Sequence, residues 1–144
     1  MVKDRRMSHP DTHGAADLTP IQIGEIWENP VTRERAIILE LPYTNPEGRA
    51  TAELTALVGA RVVGEHRHPA IVERFTVLEG ELTLKLDGQT SILREGESAV
   101  IEAGTWHDWW NAERAQCARA CGGHARRALR AHVETLSASH DSAT

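Results

Sequence analysis

GEHRHPAIVERFTVLEG, residues 64–80, brings three metal-ligand side chains into one short run: His66, His68 and Glu73. A second run, GESAVIEAGTWHDWWN at residues 96–111, adds His107. His66 and His68 stand two apart, so a strand over 60–68 would point both imidazoles to one face of its pleat. Pro69 ends that strand. The β-rich segment ERFTVL, residues 73–78, then opens the next one with Glu73 beside the histidines. Gly96 and Gly104 bracket a short apolar run, 98–101, after which the chain turns into His107. Three neutral imidazoles and a carboxylate converging in a pocket suit a divalent first-row transition metal, and leave positions for water, oxygen or substrate.

On both sides of these runs the hydrophobic pattern has a period of two. Residues 21–27 predict a short strand interrupted at Gly24 and ended by Asn29 and Pro30. Residues 35–41 predict a better one, with Ile37, Leu39 and Leu41 on one face and Ile38 and Glu40 on the other. A loop over 42–48 leads to a third strand over 50–58. Leu82, Leu84 and Leu86 alternate with Thr83 and Lys85, and Asp87-Gly88 is the strongest hairpin signal in the chain. Residues 91–93 lead back. Short strands separated by glycine-bearing turns, with no helix between them, call for an antiparallel sandwich or barrel. On the second strand of the site, Phe75 and Val77 share the face of Glu73. Around His107, alternation puts Trp109 on the ligand side and Trp106, Asp108 and Trp110 on the other.

With 144 residues the chain has room for one domain and a real core. A net charge of −5 gives no reason to expect nucleic acid as a partner. No apolar run reaches membrane-spanning length, and no apolar stretch follows Lys3, Arg5 and Arg6, so neither a membrane segment nor a secretory signal is expected and the cytosol is the default location. Residues 1–20, polar and broken by Pro10, Gly14 and Pro20, read as a disordered tail in which His9 and His13 are solvated. The domain then runs over 21–136, and 137–144 form a second disordered tail. Beyond Asn111 the strand pattern stops. Residues 112–132 are rich in alanine and arginine, and Leu129, Val133 and Leu136 fall at helical spacing, so a short C-terminal helix over 125–136 is expected to pack on the barrel. Cys117, Cys121 and His124 lack a fourth ligand for a structural zinc site, and the thiols read as incidental.

The two histidine runs resemble the motifs of the cupin superfamily, in particular its small single-domain members of the cupin 2 type. In the first motif, G-x5-H-x-H-x3,4-E-x6-G, His66, His68, Glu73 and Gly80 fall in register, while Gly59 lies one residue early. In the second, G-x5-P-x-G-x2-H-x3-N, Gly96, Gly104, His107 and Asn111 fit, and Glu102 stands at the usual proline. The resemblance implies an all-β fold, an antiparallel double-stranded β-helix or jelly-roll barrel. It also implies metal ligation by His66, His68, Glu73 and His107, with iron or manganese ahead of zinc, nickel, copper or cobalt, and commonly a homodimer.

Four ligands on an octahedral ion leave two open positions, and the resemblance then implies dioxygenase-like oxidoreductase chemistry on a small molecule, with the metal as Lewis acid and template. Phe75, Val77 and Trp109 are the expected substrate-pocket residues. No dedicated acid or base stands out: Glu53, Thr55 and Arg61 precede the histidines, and alternation turns Arg61 away from them, so Glu73 is the expected catalytic group beside bound water. The alternative is a non-catalytic metal- and ligand-binding module, a sensor or accessory protein. Sugar isomerisation or epimerisation, which needs a positioned base, ranks below both. Because each histidine must be neutral to coordinate, metal should be released below about pH 6.

Overall fold

Period-two patterning is realised as ten strands among the residues that the computed structural model describes, 4–6, 20–61, 64–112 and 128–138. They are β1 (Asp4–Arg6), β2 (Ile26–Asn29), β3 (Glu34–Glu40), β4 (Arg49–Ala56), β5 (Ile71–Glu79), β6 (Glu81–Leu86), β7 (Gln89–Arg94), β8 (Ser98–Ile101), β9 (His107–Trp110) and β10 (Leu129–Ser137). A seven-stranded sheet of order β1-β2-β3-β4-β10-β5-β8 faces a three-stranded sheet of order β7-β6-β9. Every pairing is antiparallel except β1 with β2. The expected all-β jelly-roll architecture is thus present. Within the stretch read as a leading tail, Asp4–Arg6 run alongside β2; the remainder of residues 1–19, with His9 and His13, lies outside the described residues, as do 139–144.

Alternation decides which side chains meet between the sheets. Leu54 and Ala56 of β4, Leu129 and Ala131 of β10, Phe75 and Val77 of β5, Leu82 and Leu84 of β6, Ile101 of β8 and Trp109 of β9 form one buried cluster. On β3 the inward face carries Ala36, packed against this cluster, while Leu39 faces out. Burying about a dozen apolar side chains, at roughly 1.5–3 kcal/mol each, is the main force closing the two sheets. The outward face of the large sheet is polar: Arg130 donates to Glu53 at 2.6 and 3.2 Å, and Arg49 and Thr51 both donate to Glu40. At the β6–β7 hairpin Asp87 and Gly88 both have positive φ, the backbone of a two-residue turn matched to the twist of its strands.

The C-terminal segment corrects the helix expected over 125–136. Its described part is the nine-residue strand β10, inserted between β4 and β5 and paired with both. Leu129, Val133 and Leu136 do fit a helical stripe, but Leu136 is 40% exposed whereas Leu129 and Ala131 are fully buried. The operative period is two, hidden in the sequence because Ala131 is too small to register as a core residue. Two strand edges with unpaired N–H and C=O groups outweigh the helix propensity of alanine and arginine. Residues 113–127, including Cys117, Cys121 and His124, lie outside the described residues.

Candidate metal centre

Strand register explains how distant residues meet. His66 and His107 exchange backbone hydrogen bonds in both directions, at 2.9 and 2.8 Å, and the Gly104 N–H donates to the His68 carbonyl at 2.8 Å. The loop bearing the first two histidines is therefore stitched to the turn that delivers the third. In place of the continuous strand expected over 60–68, the chain makes isolated bridges, Arg61 with Trp110 and His66 with His107; residues 62–63 lie outside the described set. Glu73 enters from β5, beside Ile101 of β8 and Thr135 of β10.

The three imidazoles form one cluster. One ring nitrogen from each of His66, His68 and His107 lies within 4.8 Å of the others, and ring centroids are 4.3–5.4 Å apart. Glu73 joins it, with Oε2 2.9 Å from His107 Nε2 and Oε1 3.7 Å from His68 Nε2. The His107 side chain is 2% exposed and that of Glu73 12%, while His68 is 35% exposed and His66 is half-buried as well.

Backbone carbonyls fix the tautomers. His66 Nδ1 lies 2.8 Å from the Gly64 carbonyl and His107 Nδ1 lies 2.9 Å from the Thr105 carbonyl. A carbonyl only accepts, so in each ring Nδ1 carries the proton and Nε2 presents a lone pair, the orienting arrangement typical of metal-bound histidine. Among the described residues His107 Nε2 is then a buried acceptor with no hydrogen-bond donor, facing a carboxylate oxygen that is also an acceptor. Two acceptors held 2.9 Å apart away from water repel unless a proton or a metal cation lies between them. The donor set of three imidazoles and one carboxylate fits a first-row divalent metal, and the buried His107 lone pair is oriented to join it.

The other residues singled out in the sequence fall as follows. Phe75, Val77 and Trp109 are buried in the core behind the cluster, with the Phe75 and Trp109 rings 5.9 Å apart. Asp108, on the opposite face of β9 from His107, is buried and receives the Arg61 guanidinium, which also lies 5.0 Å over the Trp110 ring. Asp108 holds the Arg61 pKa above its ordinary value, by hydrogen bonding first and charge second. Glu53 is occupied on the outer face by Arg130 and His132. Trp106 is 46% exposed, with Arg67 over its ring at 5.1 Å. Asn111 ties the barrel together, its amide donating to the Ala56 carbonyl at 2.9 Å. Sequence reasoning missed the carbonyls of Gly64 and Thr105. A carbonyl two residues before a ligand histidine leaves no residue-type signal.

Comparison with known proteins agrees with this geometry. Residues 53–119 match the Cupin_2 family, described as a cupin domain. No curated protein matches in sequence. Among solved structures, a predicted oxalate decarboxylase from Thermotoga maritima superposes with a TM-score of 0.58 at 17% identity, over 72% of this chain and 80% of that one. The Cupin_2 domain of an XRE family transcriptional regulator from Enterobacter cloacae gives 0.57 at 18% identity, over 74% and 99%. The cupin domain of Cnp3 from Schizosaccharomyces pombe gives 0.57 at 11% identity; 73% of this chain is covered, and it spans 65% of that domain, just under two thirds. At these identities the likeness is one of fold. The Cupin_2 match over residues 53–119, the shared fold and the histidine spacing together support a small cupin-domain protein.

Proposed function

We propose that this cupin holds a divalent transition metal on His66, His68, His107 and Glu73 and carries out oxidoreductase chemistry of the dioxygenase type on a small molecule. The observation that carries the metal reading is the His107 Nε2 lone pair, buried and unpartnered 2.9 Å from Glu73 Oε2. Iron or manganese fits the mixed imidazole and carboxylate donors. Bound there, the metal would supply Lewis acidity and two exchangeable positions. The protein's own groups do the rest. Gly64 and Thr105 hold two imidazoles in the ligating tautomer, and the Phe75 and Trp109 rings exclude water from behind. Glu73 is a carboxylate beside the imidazoles in reach of a substrate proton, and His68, 35% exposed, opens toward solvent.

Elemental analysis of protein purified without chelators tests the metal: about one equivalent per chain is expected, falling to a trace in the His66→Ala/His107→Ala double variant. Oxygen consumption by the iron-loaded protein with a panel of enols, catechols, flavonols, diketones and thiols then tests the chemistry. Saturable ligand binding without turnover across metals would instead assign a sensor or accessory module. A homodimer built on the face bearing Trp106 and Trp110 belongs to the same proposal, and light scattering at about twice the chain mass supports it.

A further inference from the structure

The barrel interior is packed at one end and open at the other, and the open end is the one that holds the histidines. Residues paired directly across an antiparallel ladder share a face, so the inward side chains of β4, β10 and β5 can be followed layer by layer. At the far end Ala56, Leu129, Leu54, Ala131 and Val77 are all buried. In the next layer Phe75 is still 2% exposed, but Ala52 and Val133 are only half-buried. Around Glu73 both neighbours, Thr135 and Ala50, are half-buried, and beyond it Ser137 and Ile71 are exposed. The interior is therefore left unfilled where Ala50, Ala52, Val133 and Thr135 lie near Glu73 on the inward face. Space for a ligand held at the histidines lies over these four side chains.

Thr135 supplies the polar group of that wall. It stands directly opposite Glu73, at a Cβ separation of about 5 Å for such a pair. Among the described residues its hydroxyl has no hydrogen-bond partner, and it is not sealed from solvent as His107 Nε2 is. No described cation joins it. Among the described residues from 20 onward, Arg35, Arg49, Arg74 and Arg130 bridge carboxylates on the outer face of the large sheet. Arg61, Lys85 and Arg94 do the same on the outer face of the small sheet. Arg67 lies over the exposed Trp106 ring, and Arg33 has its guanidinium beside Gly59 at the far end.

These walls set the charge that a ligand can bring. A divalent ion on His66, His68, His107 and Glu73 offers two positive charges against the one negative charge of Glu73, because ligating imidazoles are neutral. One more negative charge balances the centre. A second is left unpaired against alanine, valine and threonine, which is costly with no cation to meet it. We propose that the metal centre takes a small ligand carrying at most one negative charge, an enol or a diketone, with its apolar part over Ala50, Ala52 and Val133 and an oxygen accepting a hydrogen bond from Thr135. The inference rests on the metal reading above and narrows it, turning away dicarboxylates and phosphomonoesters.

Acetylacetone and malonate form the test pair, since they match atom for atom, with each methyl of one replaced by a carboxylate oxygen in the other. The visible absorption of the Co²⁺-loaded full chain at pH 7 reports their binding, and each affinity is divided by that of the same compound for free Co²⁺. On this scale acetylacetone should bind at least about tenfold tighter than malonate. Ser137→Arg, at the exposed rim next to Thr135 on the inward face, should raise malonate affinity by about threefold or more with Co²⁺ content unchanged. Thr135→Val keeps the shape and should weaken acetylacetone binding about two- to tenfold, the range of one net hydrogen bond, with Co²⁺ content and melting midpoint unchanged. Equal scaled affinities in wild type, binding of neither compound by the Co²⁺-loaded chain, or malonate affinity unmoved by Ser137→Arg overturns the ligand assignment alone. Unchanged acetylacetone affinity in Thr135→Val overturns the role of the hydroxyl. A wild-type chain that takes up no Co²⁺ overturns the metal reading itself, and this inference with it.

Discussion

Glu73→Gln should stabilise the metal-free protein while it weakens metal binding, and the two effects have one cause. In the metal-free state His107 Nε2 is a buried lone pair whose nearest polar neighbour, Glu73 Oε2 at 2.9 Å, is another acceptor. An unsatisfied buried group costs about 1–3 kcal/mol. The amide that replaces the carboxylate would turn its NH2 toward Nε2 and complete that hydrogen bond, because Thr105 already holds the proton on Nδ1. Recovery of that cost should raise the midpoint of thermal unfolding by about 3–10 °C in a domain of this size. The same change removes the one charged ligand, so affinity for Mn²⁺ should fall by about 100-fold or more. Melts in excess chelator, paired with chelator-competition titrations, measure both. A metal-free variant that melts below wild type would refute the reasoning, since a proton would then already reconcile the two atoms. Unchanged Mn²⁺ affinity would refute the ligand role of Glu73.

Other expectations test the surrounding architecture. Gly80→Ala should cost about 2–3 kcal/mol in denaturant unfolding, because φ is +85° and the new Cβ would lie 3.0 Å from the Ala128 carbonyl oxygen. Leu129→Ala should cost about 2–5 kcal/mol and Leu136→Ala under about 1 kcal/mol, as a strand with one buried face requires; equal losses would restore the helical stripe. Arg61→Met should lower the melting midpoint more than Arg61→Met/Asp108→Leu does, since the single change leaves a buried carboxylate without its cation. Glu34 gives a pH test. Its folded-state pKa is raised, so the folded protein holds a proton that the unfolded chain has released, and stability falls as pH rises from about 4.5 through that higher value. Glu34→Gln should therefore raise the melting midpoint at pH 7 relative to wild type and have little effect at pH 4.

The fold was legible wherever a strand carried large side chains at period two. Leu82, Leu84 and Leu86 announce β6, and Asp87-Gly88 announces its hairpin. The four-residue cluster was legible for a different reason: imidazoles and carboxylates at fixed spacings are uncommon enough to stand out from their surroundings. β10 was not, because its inward face is Leu129, Ala131 and Val133, and a central alanine breaks the visible alternation. What decides that segment is the gap between β4 and β5, a property of residues far earlier in the chain. The inward position of Glu34 was equally hidden. A glutamate in an alternating strand reads as the solvent side, and only the register of β2 against β3 turns it inward beside Trp27.

The placement of β10 bears on how the molecule is made. β4 and β5 are neighbours in sequence but each pairs with β10, not with the other, so both expose open edges until residues 129–137 have emerged from the ribosome. Assembly of the large sheet is therefore a late event dominated by distant pairings, which is slow, and nascent chains are exposed to edge-to-edge association in the interval. Cells that lack chaperones acting on emerging chains should give a lower soluble yield of this protein, with no change in the stability of the fraction that folds.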